Sequence, residues 1–392
     1  MDFGMNKQIS RKKLGLAVAV GLVVSPSVMA IEAAGVAVGG TTLTPTLTLT
    51  HAYDDNWTES ASGSENDSWI TRIAPSFTLA AKDRLNEYSL TWDINHEMYS
   101  DSSAANNTDN TLGAKAHMEF DSRNRVDLAL GLSSQEDNAA SAPEDYDSTT
   151  FSAVYGYGAK GALLGLDFGV SQERKRYDLV TYDGKELTST AYSVKGRYNV
   201  SSATRAVAEY RLSDFDYKTA NSLDSSANTF LVGAEWDATA KTSGSAKIGT
   251  TSKDFDAAGI ADADSTVWEV GVTWAPRTYS TVSLNTSQSL SEGSGTENYK
   301  DTTTTSLNWN HQWSSMLTSD LSWSRTTDEY KGGSNGAINL EDDTDTLGAS
   351  LTYNLRRWVD LSVGISRKDK TSTDATQSFD SNVVQMGVVV GF

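Results

Sequence analysis

A two-residue alternation of bulky apolar and small polar side chains, kept up in segment after segment, constrains this chain more than any other feature. In Tyr88-Ser89-Leu90-Thr91-Trp92-Asp93-Ile94-Asn95-His96-Glu97-Met98 the large groups take nearly every even position. That period belongs to a β-strand with two unlike faces. It recurs in Trp69/Ile73/Phe77/Leu79, in Leu112/Ala114/Ala116/Met118/Phe120 and in Val126/Leu128/Leu130/Leu132. Further on it returns in Leu164/Leu166/Phe168/Val170, Phe230/Val232/Ala234/Trp236, Trp268/Val270/Val272/Trp274 and Leu347/Ala349/Leu351/Tyr353. The last run is Val384/Met386/Val388/Val390/Phe392. About eighteen such segments of roughly 9–13 residues follow one another, close to the length of a tilted membrane-spanning strand. Ser243–Phe255 and Tyr279–Ser291 have little apolar contrast, so sixteen strands is the lower count the pattern allows.

The connections alternate in kind. Short ones fall at 81–84, 121–125, 159–161, 199–204, 239–242, 275–278, 314–316 and 354–358. Long polar ones fall near 54–67, 100–110, 133–148, 173–187, 216–227, 254–265, 290–300, 326–345 and 367–381. Short turns at one end and long loops at the other describe roughly nine consecutive hairpins in a transmembrane antiparallel up-and-down β-barrel, all-β in class. The short turns carry Lys82, Arg84, Arg123, Arg125, Lys160, Lys241, Arg277, Arg356 and Arg357, whereas the loops are acidic, as in Glu341–Asp345. A sandwich would show strands of about 5–6 residues and no such alternation of connections. A propeller shares a repeat of about 40 residues. Alternation through whole segments and an apolar-phase terminal Phe392 favour closure into a barrel, which leaves no free edge.

With so many strands in one meander, an apolar interior would line an empty space, so the apolar face must meet lipid. The polar face then lines the lumen, with Arg72, Asp93, Glu97, Lys115, Glu119, Glu209, Arg211, Glu235, Lys247, Glu269 and Asp320 as its charged members. Barrels of about 16–18 strands keep an aqueous lumen. Tryptophan and tyrosine are plentiful near strand ends: Trp57, Trp69, Trp274, Trp309, Trp313, Trp323 and Trp358, with Tyr53, Tyr99, Tyr155, Tyr157 and Tyr279. These are expected as girdles at the two lipid–water interfaces.

Residues 1–30 read as a secretory leader. Lys7, Arg11, Lys12 and Lys13 precede an apolar stretch, Leu14–Val24, and Val28 and Ala30 sit at the small-residue positions of a cleavage site after Ala30. The apolar stretch is shorter than the ~20 residues a membrane helix needs. The organisation expected is therefore leader 1–30, a short periplasmic segment 31–41 and a barrel 42–392. Removing four cations and one anion with the leader takes the formal charge from −19 to about −22. A chain so acidic is not expected to bind nucleic acid, which needs a basic face. Cysteine is absent, which excludes disulfides and thiolate metal sites.

The stretch Leu43-Thr44-Pro45-Thr46-Leu47-Thr48-Leu49-Thr50-His51-Ala52-Tyr53-Asp54-Asp55-Asn56 resembles the opening strand of the outer-membrane β-barrel porin family often associated with exopolysaccharide biosynthesis clusters. Asp67-Ser68-Trp69-Ile70-Thr71-Arg72-Ile73-Ala74-Pro75 and Asp83-Arg84-Leu85-Asn86-Glu87-Tyr88-Ser89-Leu90 are similar to its second and third strands. In detail the resemblance covers about the first hundred residues after the leader; beyond them only hairpin rhythm and Phe392 match. It implies a conduit for secreted polysaccharide, although fold alone does not settle cargo.

Catalytic chemistry is not expected. His51, His96, His117 and His311 are the four histidines; His96 falls on the lipid side, and His117 faces the lumen between Lys115 and Glu119, where a solvated side chain is the plain reading. No nucleophile elbow, zinc-protease helix or P-loop occurs. The acidic runs Asp262-Ala263-Asp264 and Glu341–Asp345 lack EF-hand spacing, and no metal or cofactor is implied. Three roles remain: the polysaccharide conduit, a general diffusion porin with cation preference whose 326–345 loop folds inward, and a surface protein binding partners through acidic loops. The partners expected are outer-membrane lipid and lipopolysaccharide, the barrel-assembly machinery through the Phe392 strand, and periplasmic polysaccharide-export components.

Overall fold

The computed structural model describes residues 35–139, 143–159, 161–239, 241–293, 297–333 and 340–392; the leader and its cleavage position at Ala30 lie outside them. A three-residue strand, β1 (Val36–Val38), precedes β2 (Thr41–Asp54), β3 (Ser68–Asp83), β4 (Asn86–Tyr99), β5 (Asn107–Glu119), β6 (Asn124–Gln135) and β7 (Tyr146–Tyr157). Then come β8 (Leu164–Tyr177), β9 (Leu187–Asn199), β10 (Thr204–Tyr217), β11 (Ser225–Thr239), β12 (Thr242–Phe255) and β13 (Ala263–Arg277). The chain finishes with β14 (Ser280–Glu292), β15 (Tyr299–Gln312), β16 (Leu317–Lys331), β17 (Leu340–Arg356), β18 (Val359–Ser372) and β19 (Phe379–Gly391). From β2 onward every strand pairs antiparallel with its sequence neighbours. The ring closes where β19 meets β2, from Val383↔Asp54 to Gly391↔Thr46. Eighteen strands thus form one barrel, the low-contrast β12 and β14 included. Closure is what lipid demands, because an unpaired backbone N–H or C=O in hydrocarbon costs several kcal/mol.

The strands run longer than the apolar alternation alone predicts. They hold 12 residues in β6 and 17 in β17; at roughly 3.3 Å per residue most exceed a ~30 Å hydrocarbon core even when tilted. Their extracellular ends therefore stand in water, where the hydrogen-bonded ladder continues although side chains no longer need to alternate. This corrects the loop boundaries. Within the expected 326–345 loop, Thr326–Lys331 belongs to β16 and Leu340–Asp345 to β17, paired as Thr326↔Thr344 and Glu329↔Glu341. The acidic run is part of the wall, not an inward constriction. Ala263 and Asp264 likewise begin β13.

At the opposite end the turns are tight. Arg84 and Leu85 alone join Asp83 to Asn86, with Arg84 in the left-handed region at φ 58°. Register shifts at Asp237/Thr239, Trp274/Arg277 and Asn354/Arg356 fall beside the turns, where a bulge bends a strand toward its partner.

The outer face carries exposed aliphatic and aromatic side chains in phase, such as Leu128, Leu130 and Leu132 on β6 and Val384 and Met386 on β19. Trp69, Trp274, Trp313, Trp358, Tyr155, Tyr157 and Tyr279 are exposed on the outside of the molecule. Trp57 and Tyr99 depart from the girdle expectation. Their rings lie 4.8 Å apart, packed with Ile70 and Ala105 in a small inner cluster. Tyr99 is the seventh residue after outward Trp92, so its phase points inward, and the 54–67 and 100–106 loops fold over it.

β1 lies along β2 through Val36↔Leu43, Ala37↔Thr42 and Val38↔Thr41, just past the point where β19 ends. Phe392 N–H bridges the gap by donating to the Pro45 carbonyl at 3.1 Å.

Candidate functional site

The inner wall is the part of the fold able to meet a solute, and side-chain phase builds it. On each strand the positions between the exposed apolar residues face inward. Arg72 on β3 meets Glu97 on β4 at 2.5 Å, and Glu97 also accepts from the Tyr99 hydroxyl at 2.8 Å. Four of the sequence-predicted residues form one network. Arg211 reaches Glu209 at 2.6 Å and Glu269 at 2.7 Å, while Lys247 reaches Glu209 at 2.9 Å and Glu269 at 2.5 Å. Two cations and two carboxylates cancel there. Glu235 joins Lys195, with Arg205 at 3.7 Å. Glu119 lies 3.5 Å from His117, whose other ring nitrogen is 2.5 Å from Asp127. Asp93 and Lys115 make no ion pair among the described residues and stand opposite Ser76 and Ser89. Asp320 accepts from the Asn310 amide at 2.7 Å.

Sequence reasoning missed several members of this wall. Arg125 and Arg197 both hold Asp167, and Lys195 pairs with Glu235. The signal was available: Lys195 and Arg197 alternate with Tyr192, Val194 and Tyr198, and Asp167 lies between Leu166 and Phe168. Arg125 was hidden because it falls in a short connection, where phase is not legible.

The mid-strand ion pairs occupy one arc of the ring only. From β3 to β13 inward positions at mid-strand carry the ion pairs just described. From β14 through β19 and on to β2, mid-strand inward positions hold hydroxyl, amide or glycine residues, such as Asn285, Ser306, Ser322, Ser350, Gln385 and Thr48. Charge returns on that arc toward the strand ends: near the turns Asp320 accepts from Asn310 at 2.7 Å and Asp360 from Asn354 at 2.9 Å, and near the loops Lys300 lies 3.4 Å from Asp328 and Lys370 2.8 Å from Asp342. An arc of eleven strands is thus ionic but largely compensated within itself, and the remaining seven are uncharged at mid-strand and dense in hydrogen-bonding groups.

Above the wall, the loops start with a repeated device. The backbone N–H of Tyr99 donates to the Asn106 side chain at 2.9 Å, that of Tyr217 to Asp224 at 2.7 Å, and that of Phe255 to Asp262 at 3.1 Å. In each case an inward aromatic ends the rising strand and a polar acceptor seven residues later closes the loop; the first two loops include a single 3₁₀ turn, Ser103–Ala105 or Asn221–Leu223. Lysines sit over the rim aromatics, as Lys175 does over Tyr146 at 3.6 Å and Lys253 over Phe215 at 4.0 Å. Among the described residues no group of three acidic or imidazole side chains is placed to hold a metal ion.

A closed ring of eighteen antiparallel strands, apolar outside and polar within, with tight turns at one end and loops at the other, defines a transmembrane β-barrel pore. It is the architecture of a channel. The chain belongs to the family described as "Putative beta-barrel porin 2", which it matches over residues 29–392, and its place is the outer membrane of a Gram-negative bacterium. No curated protein matches it. Among solved structures it is similar to OpdK of Pseudomonas aeruginosa, crystallised with vanillate, at 11% identity and a TM-score of 0.50, covering 89% of this chain and 99% of OpdK. It is also similar to OccAB3 of Acinetobacter baumannii, at 10% identity and a TM-score of 0.48, over 91% of this chain and 100% of that one. At such identities the likeness is one of fold.

Proposed function

We propose that this pore is a passive conduit for carbohydrate, with a secreted exopolysaccharide as its cargo and periplasmic export components delivering it. The observation carrying this reading is the arc from β14 to β2, free of charge at mid-strand. Its hydroxyls and amides exchange hydrogen bonds with sugar hydroxyls, each worth only about 0.5–1.5 kcal/mol net, so a long chain is solvated at every step and trapped at none. The opposite, ionic arc is compensated within itself and offers a neutral cargo little to displace.

Single-channel conductance of the refolded protein in a planar bilayer tests the reading. Large open steps blocked by fragments of the source strain's polysaccharide, and not by glucose, are expected. Steps indifferent to polysaccharide would instead favour a diffusion porin, a reading supported by the net acidity of the loops. Absence of any conductance would sink both.

A further inference from the structure

At the turn end of the ionic arc, the inner wall opens into a basin of about 270 Å³ bordered by Arg123, Arg125, Arg197 and Arg205. They come from two separate stretches, 123–125 and 197–205, and converge because β7 and β8 between them present Gly156 and Gly165 there. Arg125 on β6 is paired with Gly156 on β7, and Gly165 on β8 with Arg197 on β9. A Cβ on Gly156 would lie 2.2 Å from the Arg125 guanidinium carbon, so glycine is what lets that side chain lean across. Gly158, at φ 120°, passes so close to Gly165 that a Cβ would fall 2.9 Å from the latter's Cα. Gly158 and Gly165 thus line the floor with the small Ala159 and Ala162 and with Leu164, and Asp167 lies beside it, held by Arg125 and Arg197.

The guanidinium groups are incompletely satisfied. Arg125 and Arg197 both donate to the same oxygen, Oδ1 of Asp167, the latter at 2.8 Å. Arg205 has Glu235 at 3.7 Å and the largely exposed Asp237 at 3.5 Å, both beyond hydrogen-bond geometry, since Glu235 is taken by Lys195. Two carboxylates also border the basin. Asp121 is committed to the turn, accepting from the N–H groups of Arg123 at 2.7 Å and Asn124 at 2.8 Å. Glu119 turns toward His117 at 3.5 Å. Planar guanidinium forks with free donors suit bidentate recognition of an oxyanion.

We infer that this basin is a binding site for an oxyanion, the carboxylate or phosphate of a solute at the periplasmic mouth. The inference does not depend on whether the pore carries polysaccharide. Arg197 and Arg205 clasp the anion while Arg125 stays on Asp167.

Titration calorimetry on the folded full-length barrel in detergent tests this without requiring conductance. The probes are inorganic phosphate and trigalacturonate, with maltotriose as the uncharged comparison. Saturable binding of at least one anion is expected, with maltotriose silent, and which anion binds tells phosphate from carboxylate. Arg197→Gln and Arg205→Gln should each weaken binding at least tenfold. Lys82→Gln, which removes one cation from the same rim outside the basin, should leave it unchanged. Each variant is scored only if its unheated form keeps the gel mobility of a folded barrel; two arginine positions guard against one failing to fold. Absence of anion binding, equal binding of maltotriose, or arginine variants that bind like wild type would overturn the site.

Discussion

Lys253 is 1% exposed, with its ammonium held by Glu292 and lying 4.0 Å from the centre of the Phe215 ring. A buried pair of this kind gains little over a well-packed apolar substitute, but breaking it leaves a desolvated charge. Glu292→Leu alone is therefore expected to cost about 3–5 kcal/mol of stability, measured by urea unfolding in lipid vesicles. Adding Lys253→Met in the same chain should recover most of that loss. Glycines make a second contrast at the same scale. A Cβ on Gly249 would fall 1.7 Å from the Phe230 carbonyl oxygen, and the backbone of β11 has no rotamer with which to yield, whereas a Cβ on Gly113 meets nothing within 4 Å. Gly249→Ala is expected to destabilise by about 1–3 kcal/mol and Gly113→Ala to leave the unfolding midpoint unmoved.

At the scale of the element, turns and loops carry the information that strands do not. The Asp121 carboxyl is pushed below its ordinary range by the Arg123 N–H, then by the Asn124 side chain and N–H. A carboxylate held below its unfolded value contributes stability present above that value and lost as pH falls through the depressed one. The gap in thermal midpoint between wild type and Asp121→Ala should thus be full above pH ~5 and close in stronger acid. In the loops, Asn106→Ala or Asp224→Ala strands the N–H of Tyr99 or Tyr217. A cost of about 1–3 kcal/mol local to that loop is expected, read as faster protease cleavage there on intact cells. The strands themselves were legible because lipid imposes a period of two on them. Their extracellular ends were not, since Thr326–Lys331 and Glu341–Asp345 stand in water, where backbone pairing and polar side-chain contacts such as Thr327 to Asp343 hold them extended without an apolar period. Phase identified Arg72, Glu97 and the Glu209–Arg211–Lys247–Glu269 network as inward. It could not reveal which charges meet, because partners such as Arg211 on β10 and Glu269 on β13 lie three strands apart in the ring. The seven-residue spacing from Tyr99 to Asn106, Tyr217 to Asp224 and Phe255 to Asp262 was present in the sequence, obscured by variable loop composition around it.

For the whole molecule, the sorting of charge decides what ions experience. The chain's formal charge is −19, yet mid-wall charges are largely paired, so the unbalanced field belongs to the loops. Loop charges act through solvent and are screened within about 3 Å at 1 M salt but reach about 10 Å at 0.1 M. Reversal potentials across a potassium chloride gradient should therefore show a cation preference in dilute salt that fades in concentrated salt. A preference that persists at high salt would assign it to one of the lumenal carboxylates that make no ion pair among the described residues, Asp93 first among them.

The seam between β19 and β2 has a consequence of its own. Every other pairing in the wall joins neighbours along the chain, so the sheet can zip up locally, hairpin by hairpin. One junction alone brings Thr46 to Gly391, and it works like the clasp of a bracelet: until it shuts there is a strip, not a hoop. Along one edge of β2 the fastening leaves little bare, with β19 taking Thr46–Asp54, Phe392 taking Pro45, and β1 taking Thr41–Leu43. A chain that loses its final strand does not become a slightly smaller pore; it becomes a ribbon with two raw edges, which hydrocarbon will not tolerate.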